Sequence, residues 1–138
     1  GNSKLVFALN QLKDNIDSGQ FNAVQNTVAF ALAKHEAIVP RIREKFRYRA
    51  GAFSAGLREC GWNFVEPQGS CFIWARPPFR NKSLDSVYFM LDKASILAAP
   101  GSGFGRFGEG YVRFSLTEPD KALAEALTRI KSLDWSKL

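Results

Sequence analysis

The chain predicts an α+β fold: a helical first part, then a small, largely antiparallel sheet covered by helices. Three observations carry this. Up to about Gly61 the apolar residues recur only at helical spacing. Beyond it, short turn-bounded runs interleave with helical patterns. Neither an internal repeat nor a low-complexity linker interrupts the 138 residues, a length sufficient for a real core.

In order along the chain, Leu5, Ala8, Leu9, Leu12 and Ile16 predict a helix from near Ser3 to the Asp17-Ser18-Gly19 turn. A second helix spans about Asn22 to Lys34, with Val24, Val28, Ala31 and Leu32 on one stripe and composition suited to burial on more than one side. Pro40 fits the first turn of a third helix, where its missing N–H costs nothing, and Gly61 fits as the left-handed stop after Glu59. Ile42, Phe46, Phe53 and Leu57 form that helix's inner stripe, which leaves the arginines of RIREKFRYR outside.

Trp62 to Val65 and Ser70 to Ala75 flank the turn-rich Glu66-Pro67-Gln68-Gly69 and predict a hairpin or a close relative, ended by Pro77 and Pro78. Ser83 fits as the N-cap of a helix to about Ala94, with Leu84, Val87, Tyr88 and Leu91 as its buried stripe. Ile96 to Ala99 predicts a short strand. Thr117 and Asp120 resemble a capping box around Pro119, and Leu123, Ala126, Leu127 and Ile130 define a last helix before a tail from Leu133 to Leu138.

The chemistry concentrates in PGSGFGRFGEGYVRFSL, from Pro100 to Leu116. Period-2 alternation puts Tyr111, Arg113 and Ser115 on one face of its strand and Val112, Phe114 and Leu116 on the other, so the arginine points away from the core. Three readings compete. The strand is an ordinary half-buried one behind a loop that needs glycines for its turns. Or the loop binds phosphate, against which stands its spacing: neither GxGxxG opening a helix nor GxxxxGK[ST] is present. Or Arg113 is a carboxylate clamp, its planar fork of donors matching an amino or oxo acid.

The segment resembles one near the C-terminus of class I pyridoxal-phosphate aminotransferases, aspartate/diaminopimelate aminotransferase-like, usually close to PGxxFGxxGEGYVRxSL. Leu9 to Gln25, the Arg/Lys-rich helix from Arg41 to Cys60, and GWNFVEPQGSCFIWARPP from Gly61 to Pro78 resemble the same family in the same order. The resemblance implies terminal helices of the large domain over 1–39, a connecting helix over 40–60 and the small C-terminal domain over 61–138. It implies Arg113 as the substrate-carboxylate arginine, with Ser102, Gly103 and Phe104 lining the substrate pocket. Two departures stand out: DNIDSG at Asp14 to Gly19 where relatives read close to SNIDSG, and Ala50-Gly51 where they carry a charged pair.

In that family a lysine in an SKxxxxxGxRxG-like motif holds pyridoxal 5'-phosphate, and an upstream aspartate pairs with its ring nitrogen. Neither is found, and Gly1-Asn2 matches the position just after the motif. Ser3-Lys4 is no substitute, since no GxRxG follows and Lys4 opens an amphipathic helix. The chain is therefore expected to be a truncated C-terminal piece that contributes the arginine, has no catalytic or cofactor-binding residue of its own, and is inactive alone. A rival expectation is a non-catalytic module that self-associates, most simply as a homodimer, through its apolar first helices.

Composition closes off other classes. The net charge of +6 resides mostly in residues 41–49, which carry five basic residues and one acidic one, and reads as a solvated helix face rather than a nucleic-acid surface. Two cysteines, Cys60 and Cys71, and one histidine, His35, argue against a metal site or a disulfide framework. No apolar run approaches the roughly 18 residues of a membrane span, and no signal-peptide pattern opens the chain, so a cytoplasmic location without membrane contact is expected.

Overall fold

Asn2 opens the first helix. In the computed structural model, which describes residues 1–17, 19–79 and 82–137, its side-chain oxygen accepts from the N–H groups of Lys4 at 3.0 Å and Leu5 at 3.3 Å. Two of the donors a helix start leaves unpaired are thereby satisfied. Helix α1 spans Ser3–Ile16, α2 Asn22–Ala33 and α3 His35–Glu59. The predicted stop after α1 includes Ser18, which lies outside the described residues. The chain forms two units, Gly1–Arg41 and Ile42–Leu138.

In the first unit the helices form where periodicity puts them, but burial does not follow. No residue of α1 or α2 is buried, and Phe21, Phe30 and Leu32 of this unit stand 76%, 63% and 67% exposed. The expected burial of α2 on more than one side is thus corrected: an apolar stripe marks the side that wants covering, not whether this chain holds the cover. Pro40 is corrected too. The N–H groups of Ala37 and Ile38 bond to the Lys34 carbonyl, so α3 starts at His35 and Pro40 lies inside it, where it gives Glu36 no helical donor.

In the second unit α3 ends as predicted. Gly61 takes φ +77°, its N–H reaches Arg58 at 2.9 Å, and Trp62 N–H reaches back to Leu57 at 3.1 Å. The carbonyls of Leu57 and Arg58 thereby find donors, and Trp62 and Leu57 are both buried in the same core. Strands β1 (Asn63–Phe64), β2 (Phe72–Arg76), β3 (Ala99–Pro100) and β4 (Val112–Ser115) make one antiparallel sheet in the order β1-β2-β4-β3. Its inner face, Ile73, Ala75, Val112 and Phe114, continues into Leu116 and joins a core with Phe53, Leu57, Trp62, Val87, Met90, Leu123, Ile130 and Trp135. Each large aliphatic buried there contributes roughly 1.5–3 kcal/mol.

Several expectations need correcting. Helix α4 covers Ser83–Ala94, but its buried side is Ser83, Ser86, Val87, Met90 and Ala94, while Leu84, Tyr88 and Leu91 are exposed. The stripe is rotated because the two serines are buried with their hydroxyls bonded to backbone, Ser83 to Gly108 O and Ser86 to Lys82 O. Ser83 is not the N-cap; Lys82 is, without a side-chain bond. The strand expected over Ile96 to Ala99 forms at Ala99–Pro100, set by pairing of Ala99 with Arg113. Helix α5 runs Asp120–Lys131, with no capping box: the Thr117 hydroxyl pairs with Ser115 at 2.8 Å, and Asp120 accepts from Arg49 Nε at 2.6 Å.

Arg49 is the exception among the arginines placed outside. It is 5% exposed, and its Nη1 also donates to Leu116 O at 2.7 Å. A charge so buried persists only when its donors are met. Ile42, expected inside, is exposed. Cys60 and Cys71 are half-buried free thiols. The tail is no loose end either: Trp135, in a 3-10 turn over Trp135–Lys137, is buried with its ring 5.2 Å from Trp62 and edge-on to it.

Candidate functional site

Alternation along β2 and β4 builds the site on the outer sheet face. Phe72, Trp74 and Arg76 alternate with the buried Ile73 and Ala75, and Trp74 pairs with Arg113 in register. Arg113 is half-buried, as Tyr111 is, and its guanidinium carbon sits 4.1 Å from the centroid of Phe72 and 4.5 Å from that of Phe104. The two rings hold the planar cation between them. Among the described residues no carboxylate or carbonyl of the chain bonds to it, so its donors stay available to an outside acceptor.

The loop that supplies Phe104 consists of two 3-10 turns, Gly101–Phe104 and Arg106–Gly108, joined at Gly105 with φ +107°. Gly101 N–H donates to Tyr111 O at 2.8 Å. A Cβ on Gly101 would collide with the Gly108 carbonyl, and one on Gly108 with the Gly101 carbonyl, so both glycines are required by backbone contact. Ser102 is half-buried and Gly103 exposed in the same turn as Phe104; neither hydrogen-bonds Arg113 among the described residues. The structure thus brings Phe104 to Arg113 and leaves Ser102 and Gly103 beside the pair.

Glu109 fixes the far end of the loop. Its Oε1 accepts from the N–H of Ser83 at 2.7 Å and of Gly110 at 3.1 Å, and the Ser83 hydroxyl accepts from Gly110 N–H at 2.8 Å. Foremost the Ser83 N–H bond, with help from Gly110, holds the Glu109 carboxyl below the usual carboxylate range. An ionised carboxylate at the first turn of α4 does the work predicted for Ser83. Sequence reasoning missed Glu109, Phe72, Trp74 and Arg76. The period-2 rule, applied to β2 as to β4, finds the last three.

Among the described residues no group of three or more His, Cys, Asp or Glu side chains is placed to hold a metal ion, and no helix is long and apolar enough to cross a membrane.

Residues 1–130 match the family model for aminotransferase class I and II. The LL-diaminopimelate aminotransferases of Oleidesulfovibrio alaskensis and Aquifex aeolicus are 41% and 40% identical to the chain over 133 residues, 96% of this chain and 34% of each relative. An aminotransferase structure from Staphylococcus aureus superposes with a TM-score of 0.83 at 32% identity, covering 96% of this chain and 35% of that one. N-succinyldiaminopimelate aminotransferase from Mycobacterium tuberculosis superposes at 0.80 with 26% identity, covering 95% and 35%. The chain spans about a third of the length of the relatives it matches. With the α+β fold, the antiparallel sheet and the family match over 1–130 in agreement, this chain belongs to the class I and II aminotransferases.

Proposed function

We propose that the chain is the C-terminal part of an enzyme transferring an amino group between an amino acid and a 2-oxo acid, and that Arg113 binds the substrate carboxylate. The observation that carries this is the guanidinium between Phe72 and Phe104 with no acceptor of its own among the described residues. A planar cation so held offers two parallel N–H donors to one carboxylate and orients the acid as well as binding it. Ser102 and Gly103, beside Phe104, line the same approach. The names of the relatives favour an amino acid of the diaminopimelate kind as donor.

Pyridoxal 5'-phosphate, which the family uses as its electron sink, is not matched by the residues present. All nine lysines of the chain have exposed side chains, and an amine fit to hold the cofactor needs burial or a cationic neighbour. The cofactor and the groups that hold it belong to the remainder of the enzyme, and the chain alone is inactive. In the full-length product of the gene, Arg113→Lys lowers kcat/KM for transamination by about two orders of magnitude or more, because a forked pair becomes a point charge. Steady-state kinetics giving an unchanged kcat/KM would remove Arg113 from the site.

One further observation favours a second reading. The uncovered apolar residues of α1 and α2 suit a chain that self-associates, as a non-catalytic homodimer when made alone.

A further inference from the structure

The loop from Gly101 to Gly110 carries Phe104 to Arg113, and it has few ties to the rest of the molecule. Within it, Gly105 N–H reaches Ser102 O at 3.2 Å, Gly108 N–H reaches Gly105 O at 2.9 Å, and Tyr111 N–H reaches Gly108 O at 3.1 Å. Its ends cross at Gly101 and Gly108, where a Cβ on Gly108 would also come within 3.3 Å of the Trp74 ring. Among the described residues, every hydrogen bond that residues 101–110 make outside the stretch from Gly101 to Tyr111 ends at Ser83. Ser83 is buried and is engaged twice over. Its N–H donates to Glu109 Oε1, while its hydroxyl donates to Gly108 O and accepts from Gly110 N–H.

The anchor is at one end of the loop and the approach to Arg113 at the other. Phe104 lies 4.5 Å from the Arg113 guanidinium carbon and edge-on to Trp74, yet it is 54% exposed, so side-chain burial alone holds it weakly. Five glycines in these ten residues leave the backbone much freedom to lose. The place of the Phe104 ring therefore follows the backbone, and the backbone is fixed where a carboxylate takes the Ser83 and Gly110 N–H groups, bonds stronger than those between neutral partners. We propose that Glu109 is a positioning residue for the substrate: by tying the loop to Ser83 it keeps Phe104 against Arg113 and so holds the guanidinium in the pose that meets a carboxylate. This rests on the reading of Arg113 as a clamp.

The test is steady-state kinetics on the gene's full-length product, well below its melting temperature. The acceptor is 2-oxoglutarate, and the donor is whichever of LL-diaminopimelate, aspartate, alanine or phenylalanine the unaltered enzyme turns over fastest. Glu109→Ala raises KM for donor and acceptor about tenfold and leaves kcat within about twofold, because a displaced clamp loses binding made alike in the ground and transition states. Glu109→Gln keeps an acceptor oxygen toward the Ser83 N–H and recovers most of that loss. A merely structural role reduces the amount of active protein instead, so kcat falls while KM stays. A KM within about twofold of the unaltered value in Glu109→Ala, or a glutamine variant no better than the alanine one, overturns the proposal. If Glu109→Ala does not fold, Ser83→Ala replaces it: losing the hydroxyl bonds to Gly108 and Gly110 raises KM in the same sense, and an unchanged KM overturns the proposal. Arg113→Lys separates the two readings. A loss there with KM unchanged in Glu109→Ala overturns the Glu109 proposal alone. No loss there with KM raised in Glu109→Ala overturns the clamp and keeps Glu109 as a positioning residue acting through Phe104.

Discussion

Glu109 ties two segments 26 positions apart with one carboxylate, and its ionisation is written into stability. Its folded-state pKa is depressed, so its contribution is present above the unfolded value and is lost as pH falls through the folded one. With an ordinary glutamate value near 4.3, the window opens at about pH 4 and extends below it. Glu109→Gln lowers the thermal midpoint at pH 7, and the gap between the two proteins closes as pH is lowered through that window. Parallel melting series at stepped pH check this; a gap independent of pH would mean the carboxylate acts only by shape. At this scale the sequence told most about Arg113, because alternation alone decides which way a strand residue points. It told little about Glu109, whose partner Ser83 becomes a neighbour only when the loop folds back onto α4.

At the scale of elements, boundaries were legible where a residue imposes a backbone conformation. Gly61 ends α3 because φ +77° suits glycine, and Pro77 follows directly on the end of β2. A Cβ at Gly61 meets Pro78 only at ordinary contact distances of 3.6 and 3.7 Å, so the cost of Gly61→Ala is conformational. It lowers unfolding free energy by about 1–2 kcal/mol, measurable by urea denaturation; a neutral effect would show that the turn relaxes out of the left-handed region. What stayed hidden was the phase of α4. Counting large apolar residues selected Leu84, Tyr88 and Leu91, whereas the helix buries two serines whose hydroxyls the loop and the preceding turn satisfy. Arg49 illustrates the same limit from the other side. It falls on the stripe of Phe46, Phe53 and Leu57, yet its charge argued for water until Asp120 and Leu116 were brought to it.

For the whole chain, the apolar stripes of α1 and α2 and the family match over a third of the relatives' length point the same way: this surface is made to be covered. Produced by itself, the 138-residue chain sediments as a dimer or larger species at micromolar concentration. Leu5→Glu combined with Leu12→Glu, on the apolar stripe of α1, shifts it toward monomer. Sedimentation velocity of both proteins decides it, and a clean monomer of the unaltered chain at high concentration counts against the second reading above. The α+β order was legible at this scale because the change from helical to alternating patterns near Gly61 needs no tertiary knowledge. Which surface meets another body was not, since a helical stripe reads the same whether its cover is in the chain or elsewhere.

The rings around Trp74 on the outer sheet face, beside Arg113, have a consequence for how the protein emits light. Of three tryptophans, Trp62 and Trp135 are sealed in the core, while Trp74 is half-buried between Phe104 and Tyr111 on the outer face. A dissolved collisional quencher reaches that one indole and spares the other two. An acid that settles on the face displaces water from the same indole, so its arrival is read as a change in emission and in quencher access, with no label attached.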